Sequence, residues 1–268
     1  MKAIDLYNHM RRIGTWVDWN NTVDRFIIGD PETEVKGIAV AWQSRTTALK
    51  EAIDRGCNLF VTHEPTFYRH REDSESIFDD PQAAAKRKFI LDSGLVILRC
   101  HDVWDQMPEI GIVDSWSKHL GLGKQVAAAQ YTSVHQSPAK SLGELAEHVA
   151  AATAYLGQPY VEAVGDLEAR VTKVGVGCGA IVRIRDMIEL GADAVIATDD
   201  GSRYWYTGAW ALETGTPMIV VNHATAEEPG LRNLAAHIKD RFPGVKTEFI
   251  AQGCMYRVLA HRRRSEQA

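Results

Sequence analysis

Hydrophobic and polar residues follow one another in blocks that predict alternating strands and helices. Residues 35–42 and 58–63 are apolar runs of strand length, and a helical pattern at residues 47–56 separates them. That helical pattern ends in Gly56, where a helix C-cap is expected. The same order of helix, glycine and short apolar run returns at residues 81–101. This order predicts an α/β fold with mainly parallel strands.

The second half of the chain resumes this alternation after a less regular stretch. Residues 126–137 suggest one strand and a connection. A helix is predicted next, because Ser141 and Glu144 have the spacing of a capping box. Further strands and amphipathic helices are predicted at residues 171–180, 182–191, 192–200, 216–223 and 230–244. Two last strands, at residues 247–251 and 256–260, are predicted to end the chain.

The two halves of the chain resemble each other. In each half a helix ends in glycine, and the apolar strand after it ends in histidine, His101 in the first half and His223 in the second. Each histidine is followed four residues later by an acid, Asp105 or Glu227. All α/β units share the order of helix, glycine and strand, so the matching histidine–acid ends are what favour a duplication. We therefore predict a duplicated fold in which two similar α/β halves face one another. The predicted halves are residues 1–130 and residues 131–268.

Several predicted strands end in histidine or acidic residues. In open α/β sheets ligands bind beyond the carboxyl ends of the strands, so these side chains are candidates for one site. The candidates are His63, Glu64, His101, Asp105, Asp199, Asp200, His223 and Glu227. Imidazoles mixed with carboxylates suit Zn, Fe, Mn or Co better than Ca or Mg. Carboxylates can also bridge two ions about 3.5–4 Å apart, as in two-metal hydrolytic sites.

The dipeptide His63-Glu64 does not fit a zincin motif, because Phe67 stands where HExxH requires its second histidine. Two interpretations stay open, a polar surface loop or a pair of metal ligands at the end of a buried strand. The other strand ends favour the ligand pair. His101 has two interpretations as well: it lies close to the metals, or it orients Asp105 or another ligand.

Three further features have alternative interpretations. Asp199 and Asp200 either face the site or cap a helix predicted at residues 201–215. The Arg-His-Arg segment at residues 69–71 either holds a substrate phosphate or forms a solvated loop, and the loop is favoured. Cys178 is a weak candidate for a nucleophile, since no histidine neighbours it in the sequence.

Composition narrows the classes of function. The chain has 268 residues, of which 45% are hydrophobic, an ordinary value for a globular protein. No stretch approaches the ~20 apolar residues of a membrane span, and the N-terminal residues lack the apolar core of a signal peptide. The net charge of −5 counts against a general nucleic-acid binder. The four cysteines form no CxxC pair, which suggests reduced thiols in a cytoplasmic protein.

Four motifs resemble one known family. The segments VTHEPTFY, HDVWD, GADAVIATDD and NHATAEEPG, in this order and spacing, are similar to the motifs of the Nif-three-like family. Many of its members are described as GTP cyclohydrolase I type 2 homologs or as dinuclear-metal hexameric proteins, and the similarity extends over most of the chain. Carried over by position, the resemblance implies the ligands His63, Glu64, Asp105, His223 and Glu227. It places His101 at a non-ligand histidine of the family or at one close to the metals.

The sequence departs from the family pattern at some of these positions. Glu64 stands where the family has a second histidine, and this exchange of a neutral for an anionic ligand favours harder ions such as Mn or Fe. Asn222 replaces the glycine before the last histidine, and Trp42 replaces a pocket acid. The resemblance also implies that the two similar α/β/α three-layer halves are intertwined, with the site between them. It further implies a toroidal homohexamer with its metal sites facing the interior. The departures suggest a divergent branch whose substrate differs.

The leading functional hypothesis is a metal-dependent hydrolase acting on a small molecule. Two divalent ions bridged by Glu227 would activate water, and Asp200 or His101 would move the proton. The resemblance suggests a purine nucleotide or a related heterocycle as the substrate class. An alternative is a metal-binding or metal-delivery adaptor, which needs the same ligands but no open coordination position. A ring-shaped nucleic-acid binder is a third hypothesis, which the acidic net charge disfavours.

Overall fold

The computed structural model describes residues 1–259, in which eleven strands form two sheets surrounded by nine helices. The strands are β1 (Phe26–Ile28), β2 (Gly37–Gln43), β3 (Leu59–Glu64), β4 (Val96–Arg99), β5 (Gln125–Ala129), β6 (Thr132–Gln136), β7 (Glu162–Val164), β8 (Lys173–Gly177), β9 (Ala194–Thr198), β10 (Met218–Val221) and β11 (Lys246–Phe249). The helices are α1 (Ala3–Ile13), α2 (Thr46–Asp54), α3 (Pro81–Ser93), α4 (Asp102–Asp105), α5 (Ile112–His119), α6 (Leu142–Thr153), α7 (Ile184–Glu189), α8 (Ala209–Thr214) and α9 (His223–Arg241). This architecture confirms the predicted α/β fold class.

Each sheet has a parallel centre and antiparallel additions. The first sheet has the order β1-β4-β3-β2-β11, in which all pairs except β1 with β4 are parallel. The second has the order β5-β6-β8-β9-β10-β7, in which only the pairs among β8, β9 and β10 are parallel. The carboxyl ends of neighbouring parallel strands therefore meet at one edge of each sheet.

The strands divide the interior into three apolar layers, as β2 illustrates. Ile38 and Val40 face the core between the sheets, whereas Ala39 and Ala41 face α2 and α3, because successive side chains point to opposite faces of a strand. Helices α1, α5, α6 and α9 contribute to the core between the sheets, and α7 and α8 cover the outer face of the second sheet. The central strands are thus buried on both faces, which explains their nearly continuous apolar sequences.

The last described part of the chain returns to the first sheet. β11 agrees with the strand predicted at residues 247–251, and it pairs in parallel with β2. The strand predicted at residues 256–260 is wrong for its described part: residues 256–259 form no strand, and Leu259 is 91% exposed. Residue 260 lies outside the described residues. An apolar run cannot form a strand unless a neighbouring strand offers hydrogen bonds.

Residues 126–137, which were predicted to form one strand and a connection, lie mostly in a β-hairpin of two strands. β5 and β6 pair antiparallel, and β6 then pairs with β8. The duplication and the division into residues 1–130 and 131–268 stay predictions.

Among the described residues, no helix combines the length and hydropathy that crossing a membrane requires.

Candidate metal centre

The candidate site lies where the carboxyl ends of β3 and β4 approach those of β9 and β10. A cavity of about 340 Å³ opens there. The predicted site residues that line it are Glu64, His101, Asp105, Asp200, His223 and Glu227. His63 does not line the cavity but is fully buried beside Asp105 and Glu227. The fold therefore brings seven of the eight candidate side chains into one cluster, and the eighth, Asp199, contacts the backbone of His223.

Both histidine–acid pairs owe their geometry to a helical turn. His223 and Glu227 are the first and fifth residues of α9, and Asp105 ends the single turn of α4 that follows His101. Residues four apart lie on the same face of a helix, so each acid points to the same side as its histidine. The four-residue spacing in the sequence therefore brings each histidine and its acid to the same face of a helical turn.

A buried carboxylate that sequence analysis missed holds α4 in place. Asp24 accepts hydrogen bonds from the backbone N–H groups of His101, Asp102 and Val103, with Asp102 N at 3.0 Å and Val103 N at 2.8 Å. Burial raises the pKa of Asp24 to about 6, although these hydrogen bonds lower it. Asp24 acts as a cap for the turn that carries Asp105.

Glu227 lies at the centre of the cluster, between the two buried histidines. Its Oε1 atom is 2.8 Å from His223 Nε2, and its Oε2 atom is 3.4 Å from His63 Nε2. Asp105 Oδ1 lies 3.3 Å from His63 Nε2, and Glu64 Oε1 lies 3.6 Å from His223 Nε2. Among the described residues, four groups of three side chains could each hold a metal ion, and two of these groups share Glu227.

The orientation of both imidazoles suits metal binding. His63 Nδ1–H donates to the carbonyl oxygen of Cys100 at 3.0 Å, and His223 Nδ1 lies 2.8 Å from Asp200 Oδ2. A carbonyl can only accept, so the proton of neutral His63 resides on Nδ1 and its Nε2 lone pair is free. Within the described chain neither Nε2 atom makes a well-aligned hydrogen bond, although both are buried within 3.4 Å of a carboxylate oxygen. An orphaned, buried ring nitrogen facing carboxylates is the arrangement that a cation would complete.

The electrostatic field of the cluster attracts positive charge. Burial alone would lower the pKa of His63 and of His223, yet neighbouring carboxylates raise both pKa values well above the usual range. Glu227 raises both, Asp105 raises the pKa of His63, and Asp200 raises that of His223. Burial alone would raise the pKa of Glu227, but His223 and His63 hold it well below its usual range. Protons and metal ions compete for such groups, so the same carboxylates that retain protons would retain divalent ions.

Two long-range contacts at the site had no signal in the sequence. Trp42, at the end of β2, donates its indole N–H to Glu227 Oε2 at 2.8 Å. Arg99, at the end of β4, is 1% exposed and lies with Nη2 3.6 Å from Glu64 Oε2. Arg99 also donates to the carbonyl oxygens of His63 at 2.9 Å and of His70 at 2.6 Å. A buried cation therefore faces the carboxylate of Glu64.

The structure also shows what Asp199 and His101 contact, and the role of His101 stays a prediction. Asp199 accepts from the backbone N–H of His223 at 3.0 Å and from Asn222 Nδ2 at 2.7 Å, so it caps α9 rather than the helix after it. His101 Nδ1 is 2.9 Å from Asp102 Oδ1 and 3.2 Å from Asp105 Oδ2. Its ring also stacks on that of His63 with centroids 4.5 Å apart.

Cys178 lines the cavity as well, next to a glycine that the site requires. Burial raises the pKa of the Cys178 thiol well above its usual range, so the nucleophilic thiolate is disfavoured. Gly179 has φ +82°, and a Cβ atom there would lie 3.3 Å from His223 Nε2. A side chain at this position would strain the backbone and crowd the ring nitrogen.

A sequence model of the Duf34/NIF3 family (NGG1p interacting factor 3) matches residues 2–253 of this chain. The chain belongs to this family. Two relatives, both called GTP cyclohydrolase 1 type 2 homolog, are similar to this chain over most of its length. The protein from Clostridium perfringens is 24% identical over 237 residues, covering 84% of this chain and 85% of the relative. The protein from Chlamydia pneumoniae is 23% identical over 258 residues, covering 93% and 98%.

Two solved structures illustrate that other proteins have the same fold. The crystal structure of a Bacillus cereus protein related to NIF3 aligns with a TM-score of 0.79 at 12% identity, covering 96% of this chain and 99% of that one. A hypothetical protein of Staphylococcus aureus aligns with a TM-score of 0.77 at 16% identity, covering 97% and 99%. At such identities the likeness concerns the fold. The resemblance predicted from the four sequence motifs is confirmed.

Proposed function

We propose that this NIF3-family protein is a metal-dependent hydrolase with two divalent ions held around Glu227. The observation that carries the proposal is the position of Glu227, whose two carboxylate oxygens face two different orphaned imidazole nitrogens. A carboxylate that binds through both oxygens can bridge two metal ions. One ion would be held by His63, Asp105 and Glu227, and the other by Glu64, His223 and Glu227.

When bound, divalent transition ions such as Zn, Fe, Mn or Co would supply Lewis acidity and lower the pKa of a water molecule. The chain's own residues orient and support the ligands. Asp200 holds the ring of His223, and the Cys100 carbonyl fixes the tautomer of His63. Trp42 donates to Glu227 and makes a T-shaped contact with the His223 ring, at 5.4 Å between centroids. Trp42 therefore helps to fix the position of the Glu227 carboxylate.

His101 and Asp200 are the proposed proton-transfer groups. Both line the cavity, and both already share polar contacts that can pass a proton: His101 with Asp102, and Asp200 with His223. The side chain of Asp200 is 41% exposed, so it can exchange a proton with solvent. A group within hydrogen-bond reach of the reacting water is the geometric requirement for general acid–base catalysis.

The proposed substrate is a purine nucleotide or a related heterocycle. Support comes from the two relatives named GTP cyclohydrolase 1 type 2 homolog and from a cavity large enough for part of such a ligand. The test is a screen of purine nucleotides with metal-replete protein, in which products are separated by chromatography. Turnover that is lost on chelation and restored by one metal supports the proposal. Stoichiometric metal without turnover of any nucleotide favours the metal-delivery alternative.

Glu64→His is expected to shift metal preference from Mn and Fe towards Zn and Co. The exchange replaces an anionic oxygen ligand by a neutral nitrogen ligand, and softer ligands favour the later ions of the series. Elemental analysis after loading with an equimolar mixture of Mn and Zn would measure the ratio bound. Glu72→Gln is the matched control, because Glu72 is a partly buried acid near Arg99 that does not line the site cavity. An unchanged ratio in Glu64→His would remove Glu64 from the ligand set.

A homohexamer is proposed as the assembly, from the family resemblance alone. Light scattering of the purified protein is then expected to give six times the chain mass of 29.8 kDa. A mass equal to one or two chains at micromolar concentration would contradict the ring.

A further inference from the structure

We infer that a second cavity, next to the proposed metal centre, binds the phosphate groups of a small-molecule substrate. This inference rests on the proposed function, because the substrate would react at the metal centre. Phosphate binding in the second cavity can nevertheless be tested separately. The cavity has a volume of about 540 Å³, within the range of ordinary ligand sites. We call it the arginine cavity, because Arg183, Arg185 and Arg203 line it.

The three guanidinium groups are available to a ligand. All three arginines are exposed, and none forms an ion pair with a carboxylate in residues 1–259. Arg185 lies over the ring of Trp210, 5.1 Å from its centroid, which restricts its motion. Asp186 and Glu189 also line the cavity. The positive charge of the cavity is therefore concentrated at the three guanidinium groups.

The arginine cavity and the metal-centre cavity share a wall. Ala180 and Ile181 line both cavities, and Ile181 is 62% exposed. Gly201 lines the arginine cavity directly after Asp200 of the metal centre. A Cβ atom at Gly201 would lie 2.9 Å from the carbonyl oxygen of Gly179, so the two glycine segments are packed closely and the partition is thin. One elongated ligand can therefore occupy both cavities by passing over Ile181.

The chemistry of the lining favours a polyphosphate over a single carboxylate. A guanidinium group offers parallel N–H donors that match phosphate oxygens, and such charge-assisted pairs are strong. Three of them can share the oxygens of two or three linked phosphates. Tyr206, which is 64% exposed, adds an aromatic surface at the same cavity. The substrate class is thus a small molecule with a polyphosphate tail in the arginine cavity and its reacting bond at the metal centre.

The test is calorimetric titration of inorganic tripolyphosphate into the intact wild-type protein, Arg183→Gln/Arg203→Gln and Arg170→Gln. Removal of the two cavity arginines is expected to weaken binding about tenfold for each, because both lose charge-assisted hydrogen bonds. Arg170 is the matched control, since it is exposed, makes no ion pair in residues 1–259 and lies outside the cavity. Citrate, an anion without phosphate, is expected to bind more weakly than tripolyphosphate.

Repeating the titration with Glu227→Gln separates this inference from the proposed function. Tripolyphosphate binding that survives in Glu227→Gln and still depends on the two arginines supports the arginine cavity, even where no nucleotide is turned over. Wild-type protein that does not bind tripolyphosphate would overturn the inference. So would equal affinity in the double variant, an equal loss in Arg170→Gln, or binding that disappears with Glu227→Gln.

Discussion

Glu227→Gln is expected to remove bound metal from this protein, from near two equivalents per chain to near none, because both proposed ions share this carboxylate. The substitution keeps the shape of the side chain and an oxygen that can accept from Trp42. It removes the negative charge that lies 2.8 Å from His223 Nε2 and 3.4 Å from His63 Nε2. Elemental analysis of protein purified without chelator or affinity tag would measure the change.

Glu228→Gln is the matched control for metal content. Glu228 is the next residue of α9, is also buried, and pairs with Arg232 at 2.6 Å away from the site. It should retain wild-type metal. Loss of one equivalent in Glu227→Gln would mean that Glu227 binds a single ion and does not bridge. Negligible metal in the wild type as well would mean that the histidines and acids of the cluster stabilise the strand ends and do not bind metal.

Arg99→Met is expected to lower the free energy of unfolding by about 3 kcal/mol, the usual cost of breaking a buried charged network. The variant leaves the carbonyl oxygens of His63 and His70 without their donor and leaves Glu64 without its nearby cation. Methionine fills much of the same volume, so the loss reflects hydrogen bonds and charge rather than a cavity. Urea unfolding of metal-free protein would measure it, since bound metal would otherwise add its own stabilisation.

Arg55→Met provides the comparison at the surface. Arg55 pairs with Glu51 and with Glu248 at 3.1 Å, but its side chain is 39% exposed. Exposed ion pairs contribute little, so a loss below about 1 kcal/mol is expected. If both variants lost the same small amount of unfolding free energy, the prediction would be contradicted. The contacts of Arg99 would then position Glu64 without stabilising the fold.

Local pattern was sufficient to predict where the candidate ligands lie along the chain. The apolar runs of β3 and β10 predict buried strands, and the polar residues after them mark the strand ends, where parallel sheets bind ligands. The four-residue spacing from His223 to Glu227 corresponds to one helical turn, which places both side chains on one face. These relations involve near neighbours in sequence, so they can be recognised without the fold.

Only the tertiary structure shows which distant residues support the candidate ligands. Trp42 reaches Glu227 across 185 positions of sequence, and Asp24 caps His101 across 77. Arg183 and Arg203 come from segments after different strands, and the arginine cavity between them exists only in the fold. Hydrophobic periodicity determines which face of each element is buried. It carries no information on which distant polar side chain will meet a given ligand, because that depends on how whole sheets and helices pack.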